Sequence, residues 1–392
     1  NDGLNLEYTG QLDYVHPFSK KVKMETGLKA VLRRIDSDYT TRVKEDDTSE
    51  FETDPRLTDF FQYDQDVYAA YLSFNLNFGE NWGLVAGARY EATEIGGDFE
   101  SENPGFENNY ANFLPSIILS RKLSQFSNLK ASYTERIQRP SLFFINPFTA
   151  IADPNTLQIG NPDLEPERVA QYELAYNTYV KGVVFNGAVY WRQTSDLIES
   201  FLRIEGNGIA STTTFLNIGS SDVYGLNFFT SFTLFKKLTL RANLNYGRYN
   251  GTGVVRGEQL TRSADLVSGN AGGSYKFSDK LRVDFFAFGR ARQQTLQGSN
   301  PSFNLFGMGA NYDISKRTSI GIRIIEPFSE DKVFRSDLEG ENFSQTSSFS
   351  IPFRSFGISA SHKFGQVDFK EQRRRSRVSN DDQKEGEGGQ QF

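Results

Sequence analysis

Apolar and polar residues alternate along most of this chain, and a period of two is the one a β-strand imposes, because successive side chains point to opposite faces. From Leu4 the series Leu4, Leu6, Tyr8, Leu12, Tyr14 alternates with Asn5, Glu7, Thr9, Gln11, Asp13. Tyr68, Ala70, Leu72, Phe74, Leu76 and Phe78 oppose Tyr71, Ser73, Asn75 and Asn77, and Trp82, Leu84, Ala86, Ala88 and Tyr90 oppose Arg89 and Glu91. The pattern returns at Leu238, Leu240, Ala242, Leu244, Tyr246 against Thr239, Arg241, Asn243, Asn245, and at Leu281, Val283, Phe285, Ala287 against Arg282, Asp284 and Arg290. A soluble sandwich or a lipocalin-like barrel also alternates. Run length separates the classes: soluble strands average about 5 to 6 residues, whereas a tilted membrane strand needs about 9 to 11, and the runs 68–78 and 224–234 cover that longer span. Arg, Asn, Asp and Glu on the polar faces suit a hydrated lumen and would be costly in a sandwich core.

The connections alternate too. Short turns fall at 17–20, 79–81, 122–127, 180–182, 235–237, 278–280 and 315–317, between long polar loops at 36–63, 93–109, 137–168, 193–213, 247–262, 292–303 and 325–343. Seven turns and seven loops make 14 connections and 15 strands. Short turns at one end and long loops at the other describe an all-β, antiparallel transmembrane barrel in the bacterial outer membrane. Phe78, Trp82, Phe235, Phe277 and Phe364 near the turns, and Tyr90, Trp191 and Tyr246 toward the loops, are expected in two interfacial girdles. The absence of cysteine excludes disulfides and thiolate chemistry, and no run of 18 apolar residues marks a membrane helix. The chain opens at Asn1 rather than Met, which predicts a processed or trimmed product.

Fifteen is an odd count, and single-chain bacterial barrels have even ones. With the last strand (about 346–364) descending to the periplasm, the first starts outside. Either the count is off by one, or residues 1–364 are the C-terminal part of a larger barrel. Residues 365–392, with a basic run at Arg373–Arg377 and a Gly-rich acidic end, read as a disordered periplasmic tail.

The stretch from Thr134, TERIQRPSLFFINPF, and that from Ile159, IGNPDLEPERVAQYELAY, resemble the C-terminal half of TonB-dependent receptors, in particular barrel proteins typical of Bacteroidota. Arg139, Pro140, Asn146, Pro147, Gly160, Asn161, Pro162, Leu164, Pro166, Glu167 and Tyr172 carry the resemblance, and RSFGISASHKFG resembles a closing strand. It implies 22 strands around a plug, of which this chain supplies the last 15, with the N-terminal plug and first strands missing. It also implies TonB-dependent uptake of a scarce nutrient such as a metal chelate, oligosaccharide or peptide. A non-transport barrel subunit of a larger outer-membrane complex is the alternative. Partners by this resemblance are outer-membrane lipid, the TonB complex and a surface lipoprotein or other outer-membrane subunits. Nucleic acid and cofactors are not expected.

Candidate sites follow from both readings. The loop 137–168 contains Pro140, Pro147, Pro154, Pro162 and Pro166, which fix φ and remove donors, so it is expected to be stiff, largely outside any sheet ladder, and mainly structural, folded over the barrel mouth. Arg136 and Arg139 are placed to pair with Glu165 or Glu167. Arg89, Glu91, Arg241, Arg282, Asp284, Arg290, Arg292 and Arg323 are assigned to the lumen wall, pairing with a plug or meeting substrate. The acidic stretch from Asp36 offers oxygen ligands without EF-hand spacing, and a solvated loop is preferred to a Ca²⁺ site. His16 and His362 belong at the periplasmic rim, and GTGVVRG at Gly251 lacks the nucleotide-loop order. No enzyme activity and no metal site is expected.

Overall fold

The computed structural model describes residues 2–44, 50–55, 58–101, 105–147, 150–153, 156–205, 210–255, 258–296, 298–340, 343–365 and 383–384. Fifteen long strands follow one another: β1 Asp2–Pro17, β2 Val22–Tyr39, β3 Asp59–Phe78, β4 Trp82–Phe99 and β5 Phe106–Ser124. Then come β6 Ser127–Pro140, β7 Glu167–Val180, β8 Val183–Glu205, β9 Ala210–Leu234 and β10 Leu238–Val255. The last are β11 Glu258–Lys276, β12 Leu281–Arg290, β13 Phe303–Asp313, β14 Thr318–Ile325 and β15 Ser355–His362. Each pairs antiparallel with the next from β1 to β15. Among the described residues β1 pairs only with β2 and β15 only with β14. All of β15 is exposed, as is most of β1.

Register carries the two faces across the sheet. Directly paired residues share a face, so the row Leu72↔Ala88 and Phe74↔Ala86 is apolar while Tyr71↔Arg89 and Ser73↔Gly87 face the other way. The same separation holds far along the sheet, where Phe285↔Met308 and Met308↔Ile324 lie on one face and Asp284↔Gly309 and Gly309↔Arg323 on the other. On the outer face Tyr133, Tyr172, Trp191 and Tyr224 form a ladder across β6 to β9, with ring centroids 4.8, 5.1 and 5.8 Å apart. Toward the turns Phe78 stacks on Trp82 at 6.2 Å, with Arg121 over the indole at 5.0 Å. Trp82 and Tyr90 are separated by eight residues, roughly 26 Å along a strand, which is the order of the about 25 Å apolar band of an outer-membrane barrel. The turn between β7 and β8 is Lys181–Gly182, both at positive φ (49° and 85°), the two-residue turn that matches strand twist.

Three expectations change. The segments 193–213 and 247–262, expected as loops, are largely hairpin: β8 and β9 stay paired from Thr194↔Ser221 out to Glu205↔Ala210, and β10 with β11 to Val255↔Glu258. Above the bilayer both strand faces meet water, so apolar alternation fades while the ladder persists. The single final strand at 346–364 is divided. Phe343–Pro352 pairs with Asp331–Gly340 in a separate four-stranded sheet with Gln293–Gln294 and Gly298–Asn300, and only β15 joins the main sheet. The tail is the third. Residues 366–382 and 385–392 lie outside the described residues, but Gln383–Lys384 pair in parallel with Arg139–Pro140 at the end of β6, so these two residues are neither disordered nor at the turn end.

Candidate functional site in the barrel lumen

The loop 137–168 builds the inside of the mouth. β6 pairs with β5 only as far as Thr134 yet keeps β7 to Gln138, so its end parts from one neighbour. Leu142–Ile145 then form one helical turn, and 150–153 pairs with 156–158, which runs parallel to β9. Short ladders at 150–153 and 156–158 and the helical turn interrupt a segment expected to lie largely outside any ladder, and its Leu, Phe and Ile residues have a core to bury against. Phe144, Ile145 and Leu164 pack with Phe61, Tyr63, Ile95, Ile198 and Phe215 into one buried cluster. Phe144 meets Phe215 edge-on at 4.9 Å.

The GNPDLEPE stretch works as a clamp. Gly160 donates its N–H to the Asn146 carbonyl at 2.9 Å, and Asn161 to the Phe144 carbonyl at 2.7 Å. A Cβ on Gly160 would stand 2.3 Å from that Asn146 oxygen, so only glycine allows the approach. Asn161 Nδ2 donates to the Phe215 carbonyl. Asn108 Nδ2 donates to the carbonyls of Pro162 and Leu164, both at 3.1 Å, and Asn217 exchanges hydrogen bonds with the Glu165 backbone. Asn146 Nδ2 reaches Tyr39 on β2. Contacts from β2 to β9 require the sheet to curl round this segment. Pro140 is fully buried and Pro166 buried, whereas Pro147 is half-buried.

Beneath the cluster lies a belt of buried polar side chains: Arg33 on β2, Gln65 on β3, Glu91 and Thr93 on β4, Asn112 on β5, Arg139 on β6, Glu167 on β7 and Glu199 on β8. Arg33 donates from Nη1 to Gln65 Oε1 at 2.7 Å and from Nε to Glu7 Oε2 at 2.6 Å. Arg139, 1% exposed, pairs with Glu91 and donates from Nε to Thr93 Oγ1 at 3.1 Å. Glu91 also pairs with Arg89. Arg139 thus meets a carboxylate on β4, not Glu165 or Glu167 as the sequence suggested: parting from β5 turns the end of β6 across the lumen. Arg136 is exposed. Glu167, 3% exposed, accepts the Ile198 N–H at 2.8 Å and a bond from Lys384 Nζ at 2.5 Å. A bulge at 194–198 aims that N–H. Gln65, Thr93, Asn112 and Glu199 were not singled out from the sequence; their only signal is a polar residue in the inward register beyond the apolar band.

The remaining wall residues divide. Arg241, Arg282, Asp284, Arg290 and Arg323 fall on the inward rows by register. Arg282 Nε bonds Asp284 Oδ2 at 3.1 Å, and Asn311 Nδ2 bonds the same oxygen at 3.0 Å. Arg292 is not on the wall. It lies past the end of β12 and pairs with Asp337 of the outer hairpin at 2.6 Å. Of the acidic stretch, residues 45–49 lie outside the described residues, and among the described residues no three His, Asp or Glu gather as a metal site. His16 and His362 stand at the turn end, beside Phe18 and Phe364 at 4.5 and 4.4 Å.

No curated protein matches the sequence. Among solved structures, the siderophore receptor PiuA from Acinetobacter baumannii is similar over 92% of this chain and 56% of its own, at 14% identity and a TM-score of 0.66. The copper transporter OprC is similar over 92% and 57%, at 14% and 0.65. The ferric yersiniabactin uptake receptor FyuA from Yersinia pestis is similar over 93% and 55%, at 13% and 0.64. The chain therefore spans a little over half the length of these structures, and at such identity the likeness is one of fold. The family model of the outer membrane protein β-barrel family matches residues 1–362. With an antiparallel sheet, an apolar outer face and polar inner rows already in view, this places the chain in the bacterial outer membrane as a member of the outer membrane protein β-barrel family.

Proposed function

We propose that the chain is the C-terminal portion of a plug-gated outer-membrane receptor that imports a scarce nutrient, a metal chelate, oligosaccharide or peptide, by coupling to the TonB complex. The observation that carries this reading is that, among the described residues, β1 and β15 each lack a partner on one edge, in a sheet that shares the fold of about half of a siderophore receptor and a copper transporter. In lipid, each backbone N–H or C=O without a partner costs several kcal/mol, so these edges call for further strands. A 22-stranded barrel would supply about seven. The resemblance of the 134–176 region to receptors typical of Bacteroidota agrees with this assignment. The short turns face the periplasm and the long hairpins the exterior.

The test is energised uptake. The gene is deleted, then restored whole, and accumulation of labelled iron and copper chelates, oligosaccharides and peptides is measured with and without a functional TonB system. Uptake of one class, restored only by the whole gene and lost without TonB, is expected. Uptake independent of TonB, or none in any class, overturns the reading.

A further inference from the structure

We propose that the upper lumen contains a binding site for an extended, lysine-bearing peptide, and that the chain's own segment at Gln383–Lys384 is its occupant. Three groups receive the Lys384 ammonium. Nζ lies 2.5 Å from Glu167 Oε1 and 2.8 Å from the Ile198 carbonyl, and stands 5.6 Å from the Phe144 ring centroid. A carboxylate, a carbonyl and an aromatic face together match a cation with several donors. Beside it Gln383 Nε2 donates to Gln65 Oε1 at 2.9 Å.

The backbone is also received. Among the described strands β6 runs on past the last residue paired with β5, Thr134, and the last paired with β7, Gln138, and Gln383–Lys384 pair in parallel with its end at Arg139–Pro140, the mode by which a peptide augments a strand edge. One feature of the wall asks for an occupant. Glu167 is 3% exposed, and among the described residues Lys384 is the cation that pairs with it; a buried carboxylate is tolerated when paired and costly when not. Chain length permits the seat, since the 22 residues from His362 to Lys384 reach at most roughly 75 Å, against about 46 Å for the 14 residues of β6. The proposal does not depend on what the barrel imports.

These 392 residues contain no cysteine, so in the whole, membrane-inserted protein, with any cysteine outside them replaced by serine, Gln65→Cys is the single reporter thiol. Its labelling by a hydrophilic maleimide is expected to be slow with the native tail and, because a charged hydrogen-bonded contact is lost, roughly tenfold or more faster with Lys384→Met. A synthetic peptide of residues 378–388 should restore protection to the Lys384→Met protein, and the same peptide with norleucine for lysine should not. Restoration also shows that the variant is folded. Equal labelling with and without Lys384, protection by both peptides alike, or protection by neither overturns the proposal, as does unchanged protection after deletion of residues 366–392, which would assign the lumen to another occupant.

Discussion

Three sites test the faces, the buried pair and the clamp most directly. Phe74 lies on the outer row, and Asn75 on the inner one. Phe74→Arg near mid-strand is expected to destabilise folding into lipid by about 2 to 4 kcal/mol, with Asn75→Arg close to neutral; equal effects in urea titrations from bilayers would contradict the face assignment. Arg139 and Glu91 form a buried pair on strands whose residues are 48 apart in sequence. Removing one partner leaves its counterpart to be satisfied in low dielectric, so Glu91→Leu should cost about 3 to 5 kcal/mol, while Glu91→Leu with Arg139→Met should cost less than the sum of the single changes. A double-mutant cycle with zero coupling would dismiss the pair. At Gly160 the missing side chain is the function: Gly160→Ala forces Cβ onto the Asn146 carbonyl, and a loss of about 1 to 3 kcal/mol, read by faster proteolysis of the mouth segment, is expected.

Elements behave differently inside and outside the bilayer. Within it each strand has one apolar and one polar face. Above it, β8 and β9 run on as a hairpin, and a second small sheet forms over β12 to β14. That sheet is held by Phe303, Phe334 and Phe349 stacked at 5.9 and 4.9 Å, and by Asp337. The Thr346 hydroxyl, followed by Arg335, holds the Asp337 carboxyl below its ordinary value of 3.8. A depressed carboxylate contributes stability that is present above the unfolded value and lost as pH falls through the lower folded one. The hairpin 331–352 is therefore expected to loosen below about pH 3.8. Amide exchange, corrected for intrinsic rates, should show Asp337→Asn loosening the hairpin at neutral pH and matching the native protein in acid; identical protection at neutral pH would remove Asp337 from that role.

For the whole molecule the question is closure. A barrel has no edges, and this sheet has two among its described strands. On the reading proposed above, the 392 residues expressed alone are expected not to form a heat-modifiable, protease-resistant barrel, and to do so when the further strands are supplied on the same or a second chain. A monodisperse, resistant barrel from the isolated chain would instead mean that β1 and β15 close on each other. Gel mobility with and without boiling separates the two outcomes.

Much of this organisation is local and hence legible along the chain. A strand's period of two writes its faces into the sequence, so the outer row through Phe74, the inner row through Asn75 and Arg89, and a count of fifteen strands read out directly. The TERIQRP and GNPDLEPE stretches, resembling those of known receptors, pointed to an outer-membrane β-barrel, and the β-barrel family is what the match over residues 1–362 shows. Tertiary structure decided the rest, because it depends on residues that only curvature and register bring together. Polar hairpins above the bilayer lose the apolar alternation that identifies a strand, so 193–213 reads as a loop although its ladder continues. Arg139 has acidic neighbours close in sequence at Glu165 and Glu167, yet β6 parts from β5 and carries it to Glu91. Glu167 finds its cation 217 residues away at Lys384, in a stretch whose composition alone reads as solvated tail. A buried carboxylate selects its partner by position in space, and position in space is what the curled sheet supplies.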